Sequence, residues 1–355
     1  MVNKQPLNYS TELDIENLEE NVFRYLVIPD LHLRSKQQGN RKNLLHKYNG
    51  FLEDIITLIT TTKAIHGVIL LGDIWDRGVE GKFSDLIKPI ALFQQISNLT
   101  NGNLYTMFGN HEDTYAKDNP FYSFVQLPPE LEHHLRIKKE APMFVLPVIK
   151  APMQLTHGSG TIWFNHFDKV EKRYKVDTNL HPVTNIGLYH DDLITTESKA
   201  KLYHHRVGHG IDINSDIFEN IDWAICGHNH QPIEEIKLNN RIGTLVTTPG
   251  TPIQNRIDEV HTTVKIPIIE FHESKVLNKH LTYSLGNIQE TIVEDKLKEK
   301  KKVMRKALKS YKLTLKKTSL EDCLLKVETR EIAQIIQTPE RVFYSEELFQ
   351  ELTNV

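Results

Sequence analysis

Two histidines one residue apart, His228 and His230, follow a short apolar run in the segment DWAICGHNHQP, residues 222–232. Imidazole rings are common metal ligands. Residues i and i+2 of an extended segment point the same way and lie about 6.5–7 Å apart, which suits two neighbouring ions better than one. The preceding Gly227 would let the backbone turn tightly into such a site.

Other polar side chains that could share these ions also follow apolar runs, and none of them is a thiolate. Oxygen and nitrogen donors suit Mn²⁺, Fe or Zn²⁺. An aspartate can bridge two cations about 3.5–4 Å apart, and such a pair lowers the pKa of a bound water and holds phosphate oxygens. Metal-assisted hydrolysis is therefore the chemistry that the pattern favours. The full set is Asp30, His32, Asp73, Asp76, Asn110, His111, His190, His228 and His230.

The elements that must position these residues are five apolar runs, each of which ends near a Gly or Pro. Runs of this kind without alternation predict strands that are buried on both faces. Amphipathic stretches at 43–63 and 83–99 predict helices between the early strands, with Pro89 near a first turn or at a kink. This order predicts an α/β core whose site lies outside the carboxyl ends of its strands. The five runs lie within 24–32, 66–78, 103–113, 184–193 and 222–230.

The rest of the chain predicts a second sheet and two flanking regions. Two strands about a Gly turn are expected, one in APMFVLPVIKAP, residues 141–152, and one in TIWFNHFD, residues 161–168, with HGSG, residues 157–160, between them. A strand, a turn and another strand are expected within 262–285. These could form a second sheet packed on the first. Residues 1–22 are a polar N-terminal extension. Residues 286–355 are expected to form a basic, helical C-terminal region, with a stretch at 296–317 that could contact DNA or a partner, or be a solvated helical face.

The composition is that of an ordinary globular chain, with 39% hydrophobic and 25% charged residues. A net charge of −3 excludes a global polycation, so a nucleic-acid partner would need a local patch or metal ions. The cysteines, Cys226 and Cys323, lie far apart, which argues against a disulfide scaffold and fits a reducing compartment. No apolar stretch is long enough to span a membrane. A cytoplasmic location is expected, in the host cytoplasm if the chain is viral.

The motifs DLH, GDIWDRG, GNHE, GLYH and GHNH, in this order, resemble those of the calcineurin-like metallophosphoesterases. The resemblance covers 23–285, which is expected to be the catalytic domain. It implies an α/β sandwich of two mixed β-sheets flanked by helices, followed here by a small helical C-terminal region. It also implies two divalent metal ions, of which Mn²⁺ is preferred and Fe or Zn²⁺ are alternatives.

The resemblance also assigns roles to the motif residues. Asp73 would bridge the two metals. His111 would protonate the leaving oxygen or act as an electrostatic clamp, Asp76 would orient and charge its imidazole, and Arg77 would contact a phosphate oxygen. The first metal would be bound by Asp30, His32 and His230, and the second by Asn110, His190 and His228.

Several residues keep alternative interpretations. Asp30 could cap the following segment, Asn110 could be a turn residue, and Cys226 is expected to be a buried strand residue. His157 or His166 could replace His190 as the ligand of the fourth motif, although His190 directly ends a buried strand. His209 could approach the site from a Gly-flanked loop. Two histidine pairs, 133–134 and 204–205, are expected at the surface or in loops.

Within the superfamily, the sequence is most similar to the SbcD-like DNA repair nucleases. GHNH supplies two metal-ligand histidines, His228 and His230, from one short segment. VTTPGTPIQNR, residues 246–256, resembles the PGS-plus-arginine segment of those nucleases, with Thr251 in the place of serine. The resemblance implies DNA as substrate, an SbcC-like coiled-coil ATPase as partner, and a homodimer formed through helices such as 43–63 or 83–99. A phosphoprotein or nucleotide phosphatase is the alternative, since GDIWDRG and GNHE read like phosphatase motifs. A non-catalytic scaffold is a third possibility that the complete ligand set disfavours.

Overall fold

A computed structural model describes most of the chain between Tyr9 and Ser284. The described residues are 9–11, 22–33, 44–75, 83–113, 125–126, 148–167, 183–194, 210–230, 232–253 and 263–284. The chain divides into two units, Met1–Gln289 and Glu290–Val355, and every described residue belongs to the first. The predicted helical region 286–355 and its basic stretch therefore lie outside the described residues.

The elements follow the predicted alternation of strands and helices. The α-helices are α1 (Leu44–Thr62), α2 (Phe83–Leu99) and α3 (Asn110–Asp113), and a short 3-10 helix spans Asp216–Phe218. The strands are β1 (Tyr9–Thr11), β2 (Phe23–Ile28), β3 (Gly67–Leu70), β4 (Leu104–Thr106), β5 (Val125–Gln126), β6 (Ile149–Lys150), β7 (Gln154–His157), β8 (Gly160–Phe164), β9 (Thr184–His190), β10 (Leu193–Ile194), β11 (Ile211–Asp212), β12 (Trp223–Gly227), β13 (Ile233–Lys237), β14 (Leu245–Thr248), β15 (Thr263–Phe271) and β16 (Val276–Ser284).

Two mixed sheets form the body of the first unit, which confirms the predicted sandwich architecture. The first has the order β1-β16-β15-β2-β3-β4-β6-β5, with β2, β3 and β4 parallel at its centre. The second has the order β13-β14-β12-β9-β8-β7, with β8, β9, β12 and β14 parallel. Because the carboxyl ends of parallel neighbours meet at one edge, residues that follow β2, β3 and β4 are brought together, as are those that follow β9 and β12.

The apolar runs of the sequence are buried on both faces, as predicted. In β2 and β3, Leu26 and Val68 pack in one core cluster with residues of α1 and α2. The alternate residues, such as Val27 and Ile69, pack against the second sheet. The two helices confirm the predicted stretches 43–63 and 83–99, and Pro89 lies inside α2, in its second turn.

The opposite face of the second sheet has its own core cluster. Cys226 is fully buried there beside Tyr189 and Phe218, which confirms that it is a strand residue of the core. Burial raises the pKa of the Cys226 thiol, so the reactive thiolate is disfavoured.

Two parts of the predicted second sheet were wrong. The hairpin β15–β16 joins the first sheet, where β15 pairs antiparallel with β2, and does not belong to the second. The strand before the HGSG turn is β7, which begins at Gln154, while β6 at Ile149–Lys150 belongs to the first sheet. An amphipathic strand pattern shows which face is buried but not which sheet edge accepts the strand, so the sequence left this choice open.

No helix among the described residues has both the length and the apolar character that crossing a membrane requires.

Candidate metal centre

The loop after β2 supplies the first carboxylate and the first imidazole of the site. Asp30 and His32 are almost completely buried, with 0% and 2% of their surface exposed. His32 has a φ of 46°, and its N–H donates to the carbonyl of Asp73 over 2.8 Å. One residue further, Leu33 N–H donates to the Ile74 carbonyl over 2.7 Å. The loops after β2 and β3 are therefore joined by backbone hydrogen bonds beyond the end of the sheet.

The loop after β3 carries Asp73 in a left-handed conformation, with a φ of 45°. Aspartate tolerates this region better than most residues. Gly72 precedes it at a φ of 84°, and a Cβ there would lie 2.6 Å from His190 Nδ1. Glycine is required at this position both for its backbone angle and for the space that the histidine occupies. The tight turn aims the Asp73 carboxylate between the two sheets.

The Asp73 carboxylate lies between two groups of imidazoles. Its Oδ2 atom is 3.5 Å from His32 Nε2, and its Oδ1 atom is 3.2 Å from His190 Nε2. The two oxygens thus face different histidines. This is the geometry that a bridging aspartate needs, because each oxygen is available to a different cation.

The short helix α3 places Asn110 and His111 of GNHE at the rim of the site. The His111 backbone N–H donates to Asp73 Oδ1 over 2.9 Å, which ties the helix start to the carboxylate. The His111 ring lies edge-on to the His32 ring, with 4.8 Å between their centroids, and 16% of its side chain is exposed. Its Nε2 atom is 3.7 Å from Asp73 Oδ2. His32, His111 and His190 all place Nε2 within 4 Å of an Asp73 carboxylate oxygen, and among these three His111 is the most exposed to an entering group.

The second sheet contributes His190, which ends β9 and is completely buried. Its Nδ1 atom lies 2.7 Å from the carbonyl of Leu71 and donates to it, so that Nε2 faces the carboxylates. Nε2 is 3.6 Å from Asp30 Oδ1 in addition to its contact with Asp73. A backbone carbonyl on one ring nitrogen fixes the tautomer that leaves the other nitrogen for a cation.

The two late histidines follow β12 and diverge to the two sides of the site. His228 Nδ1 lies 2.8 Å from Asn110 Oδ1, and His230 Nε2 lies 2.8 Å from His32 Nε2. His228 N–H also donates to both carboxylate oxygens of Asp30, over 3.0 and 3.1 Å. The i and i+2 spacing therefore sends one imidazole to each group.

Gly227 is needed for a different reason from the one predicted. The left-handed backbone conformation falls on His228, whose φ is 78°, and Gly227 is not among the residues with positive φ. A Cβ at Gly227 would lie 2.8 Å from the Leu71 carbonyl oxygen and 2.9 Å from His190 Nδ1. Glycine is therefore required here because the strand passes too close to the His190–Leu71 hydrogen bond for any side chain.

The nine candidate residues fall into three groups by position. Seven are brought together as clusters of possible ligands, with Asp73 shared between them: Asp30, His32, Asp73, Asn110, His190, His228 and His230. His111 lies beside them and also clusters with His32 and Asp73. Asp76 lies outside the described residues, as does Arg77, so their predicted roles stay predictions.

The charges of the cluster are strongly coupled. Burial raises the pKa of the Asp30 carboxyl to about 6. Burial would also raise that of Asp73, but the imidazoles of His190 and His111 hold its pKa well below the usual range. Burial alone would lower the pKa of His190, whereas the carboxylates of Asp73 and Asp30 raise it to about 10. Two buried carboxylates therefore demand positive charge between the sheets.

The donor set fits divalent cations. Buried carboxylates are stable only when paired with a cation, a proton or a metal. The imidazole nitrogens and the Asn110 oxygen supply neutral lone pairs around them, and neutral nitrogen and oxygen donors with carboxylates suit Mn²⁺, Fe or Zn²⁺. The residues present could thus hold two ions, one at Asp30, His32 and His230, the other at Asn110, His190 and His228, with Asp73 shared.

The structure separates the alternative histidines from this site. His166 is buried, accepts the Phe108 N–H at Nδ1 over 3.2 Å, and contacts the Pro152 carbonyl through Nε2 at 2.9 Å. His157 ends β7 at the turn into β8, and its Nε2 atom is hydrogen-bonded to the Tyr25 hydroxyl. Because that turn lies at the amino ends of the parallel strands, His157 is at the opposite edge of the sheet. His209 and the pairs 133–134 and 204–205 lie outside the described residues.

Two residues near the site have contacts that the sequence did not reveal. Thr251 is buried, and its hydroxyl lies 2.9 Å from the Asp30 carbonyl, while its N–H donates to the His230 carbonyl over 3.1 Å. Asp192 places Oδ2 3.6 Å from His228 Nε2. The only sequence signal for Asp192 is a carboxylate two residues after a buried strand-ending histidine.

The sequence matches the family model of the calcineurin-like phosphoesterases over residues 23–232. The matched range contains every residue of the two clusters. No curated protein is detectably similar to the chain.

Two solved structures are similar to the chain at low identity. A proposed 5′-nucleotidase from Staphylococcus aureus, solved in complex with alpha-ketoglutarate, is 14% identical, with 78% of this chain and 58% of that chain covered and a TM-score of 0.37. A 5′-nucleotidase precursor from Thermus thermophilus is 12% identical, with 74% and 54% covered and a TM-score of 0.37. The chain thus spans a little over half the length of these structures.

Proposed function

The chain belongs to the calcineurin-like phosphoesterase family and is a metal-dependent phosphoesterase. We propose that it hydrolyses phosphodiester bonds of DNA as an SbcD-like nuclease. The observation that carries the reaction type is the position of Asp73 between two clusters of nitrogen and oxygen ligands. When bound, a pair of divalent cations there supplies Lewis acidity and lowers the pKa of a water molecule.

The protein's own residues would position the scissile phosphate. His111 is held at the rim of the site by its backbone N–H bond to Asp73, and its ring is partly exposed. A phosphate at the clusters would therefore meet the His111 imidazole, which can donate a proton to the leaving oxygen or hold a phosphate oxygen. Asp76 and Arg77 are proposed to orient His111 and to contact the phosphate, respectively.

The choice of DNA is supported by the arrangement around GHNH. Both late histidines come from one turn, so each cluster receives a ligand from the same short segment. The TPGT segment, residues 248–251, begins at the last residue of β14 and contacts this turn, because Thr251 bonds to the carbonyls of Asp30 and His230. Both features are those by which the sequence resembles the SbcD-like nucleases, and the strand pair β15–β16 follows them in the order that the resemblance implies.

The metal and the partners are proposed on the same basis. We propose Mn²⁺ because the clusters offer carboxylate, amide and imidazole donors, whereas Cys226 is buried in a different core cluster. An SbcC-like coiled-coil ATPase, a homodimer and a cytoplasmic location remain proposals that rest on the resemblance alone.

The proposal is tested by comparing substrates with the purified chain and Mn²⁺. Linear double-stranded DNA and hairpin DNA would be offered beside an aryl phosphomonoester, a nucleoside 5′-monophosphate and a phosphopeptide. Cleavage of DNA that is lost in Asp73→Asn supports the nuclease. Asparagine tolerates the left-handed backbone at this position, so this variant removes the charge without straining the turn.

The control for this assay is His157→Gln, which alters a histidine at the opposite edge of the sheet. It should cleave DNA at the wild-type rate. Turnover of the phosphomonoester, nucleotide or phosphopeptide by the wild type, without DNA cleavage, would instead favour the phosphatase alternative and refute the nuclease.

A further inference from the structure

We propose that Asp192 is a positioning residue, which fixes the ring of His228 so that its Nδ1 atom faces the second cation. The inference rests on the two-cation site of the proposed function but not on the identity of its substrate. It concerns a residue outside the five motifs, two positions after the last residue of β9.

The ring of His228 lies between two acceptors. Its backbone is fixed, because its N–H donates to both oxygens of Asp30 and its φ is 78°. On one side, Nδ1 lies 2.8 Å from Asn110 Oδ1. On the other side, Nε2 lies 3.6 Å from Asp192 Oδ2. The two ring nitrogens of His228 thus face two different oxygens.

Asp192 is itself held in place from two directions. Its N–H donates to Asp191 Oδ1 over 2.8 Å, and its carbonyl accepts from Ile211 N–H over 2.8 Å, at the start of the short parallel pair β10–β11. Since β9 and β12 pair in register with His190 opposite Gly227, the residues just after the two strands are neighbours. The sheet register therefore delivers the Asp192 carboxylate to the outer side of the His228 ring.

This carboxylate selects one tautomer of His228. A neutral imidazole has one N–H donor and one lone-pair nitrogen. Asn110 Oδ1 would accept a proton held at Nδ1. A cation ligated by Nδ1 requires the proton at Nε2 instead, and the negative charge of Asp192 near Nε2 favours this tautomer. At 3.6 Å the contact is longer than a hydrogen bond, so the orienting force is the attraction between the carboxylate charge and the N–H dipole.

His190 in the same cluster is also oriented by an oxygen, but through the other ring nitrogen. His190 donates from Nδ1 to the Leu71 carbonyl and presents Nε2 to Asp73. His228 presents Nδ1 and keeps Nε2 for Asp192. Each imidazole of the second cluster thus has its metal-facing nitrogen set by an oxygen on its other side, one from the backbone and one from Asp192.

The test is a metal titration of the metal-free chain without substrate. Isothermal titration calorimetry with Mn²⁺ would count sites and affinities, and Mn²⁺ electron paramagnetic resonance would report whether two ions are coupled. The wild type is expected to bind two Mn²⁺. Asp192→Asn and Asp192→Ala are expected to weaken one site by about 10–100-fold, as is usual when a group that orients a ligand is removed. The other site and the melting temperature of the metal-free chain should not change.

The matched control is Asp212→Asn in the adjacent strand β11, whose carboxylate bonds to Asn214 N–H and should leave both affinities unaltered. Asp192→Glu should recover part of the lost affinity. Equal wild-type affinities in both Asp192 variants would overturn the inference. So would a lower melting temperature of both metal-free variants with two unaltered affinities, because that result assigns a purely structural role. A chain that binds two Mn²⁺ but cleaves no DNA would refute the nuclease and leave this inference standing.

Discussion

His32 Nε2 and His230 Nε2 lie 2.8 Å apart, although 198 residues separate the two histidines in the sequence. Two lone pairs at this distance repel each other unless a proton or a cation lies between them. Asp30 completes the same cluster. The relationship therefore defines a place where a cation stabilises the folded chain.

Binding of Mn²⁺ should stabilise the folded state. A ligand that binds only the folded state stabilises it by about 2.7 kcal/mol when its concentration is about 100 times Kd. The melting temperature, followed by differential scanning fluorimetry, should rise with Mn²⁺ and fall on addition of a chelator. His230→Ala removes one ligand of the first cluster, so its Mn²⁺ response should be smaller. A melting temperature that changes neither with Mn²⁺ nor with the chelator would contradict the proposed centre.

Asp73→Asn should abolish most of the phosphoesterase activity. Lewis-acid stabilisation by bound cations is worth several kcal/mol, so kcat should fall by about a thousandfold. Steady-state kinetics with the preferred substrate measure this change. Asp216→Asn, at the start of a surface 3-10 helix, is the matched control and should keep wild-type kcat. Loss of activity in both variants would mean that the effect is not specific to the centre.

Gly227→Ala should displace His190 and weaken metal binding. The added methyl group would meet the Leu71 carbonyl oxygen at 2.8 Å, and that backbone atom cannot move aside cheaply. Gly50→Ala is the contrast, because Gly50 lies inside α1 with nothing within 4 Å of an added Cβ. It should stabilise the chain by about 0.5–1 kcal/mol, the usual difference between alanine and glycine in a helix. Urea denaturation and Mn²⁺ titration of both variants test the pair.

Glu270→Gln should destabilise the chain by about 3–5 kcal/mol, the usual cost of removing one partner of a buried ion pair. Arg24 Nε lies 2.6 Å from Glu270 Oε2, with 5% and 7% of the two side chains exposed, and the residues face each other across β2 and β15. The double variant Arg24→Met with Glu270→Leu should recover much of this loss, since no charge is left buried. Urea denaturation at neutral pH measures the free energy of unfolding of the wild type, the single variant and the double variant. Near-wild-type stability of the single variant would show that the pair is dispensable.

Stability should fall as the pH drops below about 6.5, the ordinary pKa of a histidine, in part because of His66. Burial lowers the pKa of His66 below this ordinary value, and Arg24 adds to the effect. Below pH 6.5 the unfolded chain therefore binds a proton that the folded chain does not, so the free energy of unfolding decreases until the pH has passed the folded pKa. Arg24 N–H, which donates to His66 Nδ1 over 3.2 Å, also loses its acceptor on protonation.

The measurement for His66 is urea denaturation between about pH 5 and 8, the range in which histidine titrates, in the wild type and in His66→Gln. The variant should show a smaller loss of stability over this range, because its side chain does not titrate. Identical pH dependence in the two chains would mean that His66 makes no contribution.

The sequence predicted the parallel strands and the clustering of the site residues, but it did not predict the pairing of β15 or the backbone conformation of His228. Apolar runs such as those before Asp30 and Asp73 were enough for the parallel strands, because only residues buried on both faces produce them. The clustering of the site residues followed from the rule that the carboxyl ends of parallel strands meet at one edge of a sheet. The joining of β15 to β2 could not be predicted, since Glu270 finds its partner, Arg24, 246 residues away and no local pattern encodes such a pair. The left-handed backbone of His228 was likewise missed, because histidine is not the residue that usually signals it.

The distances along the chain between the ligands also bear on how the protein folds. His228 N–H reaches the carboxylate of Asp30 across 198 residues, and His190 reaches Leu71 across 119. Contacts of such long range close large loops and form late, after the strands that carry them have paired. We therefore expect the centre to assemble late in folding. A cation bound there is then expected mainly to slow unfolding.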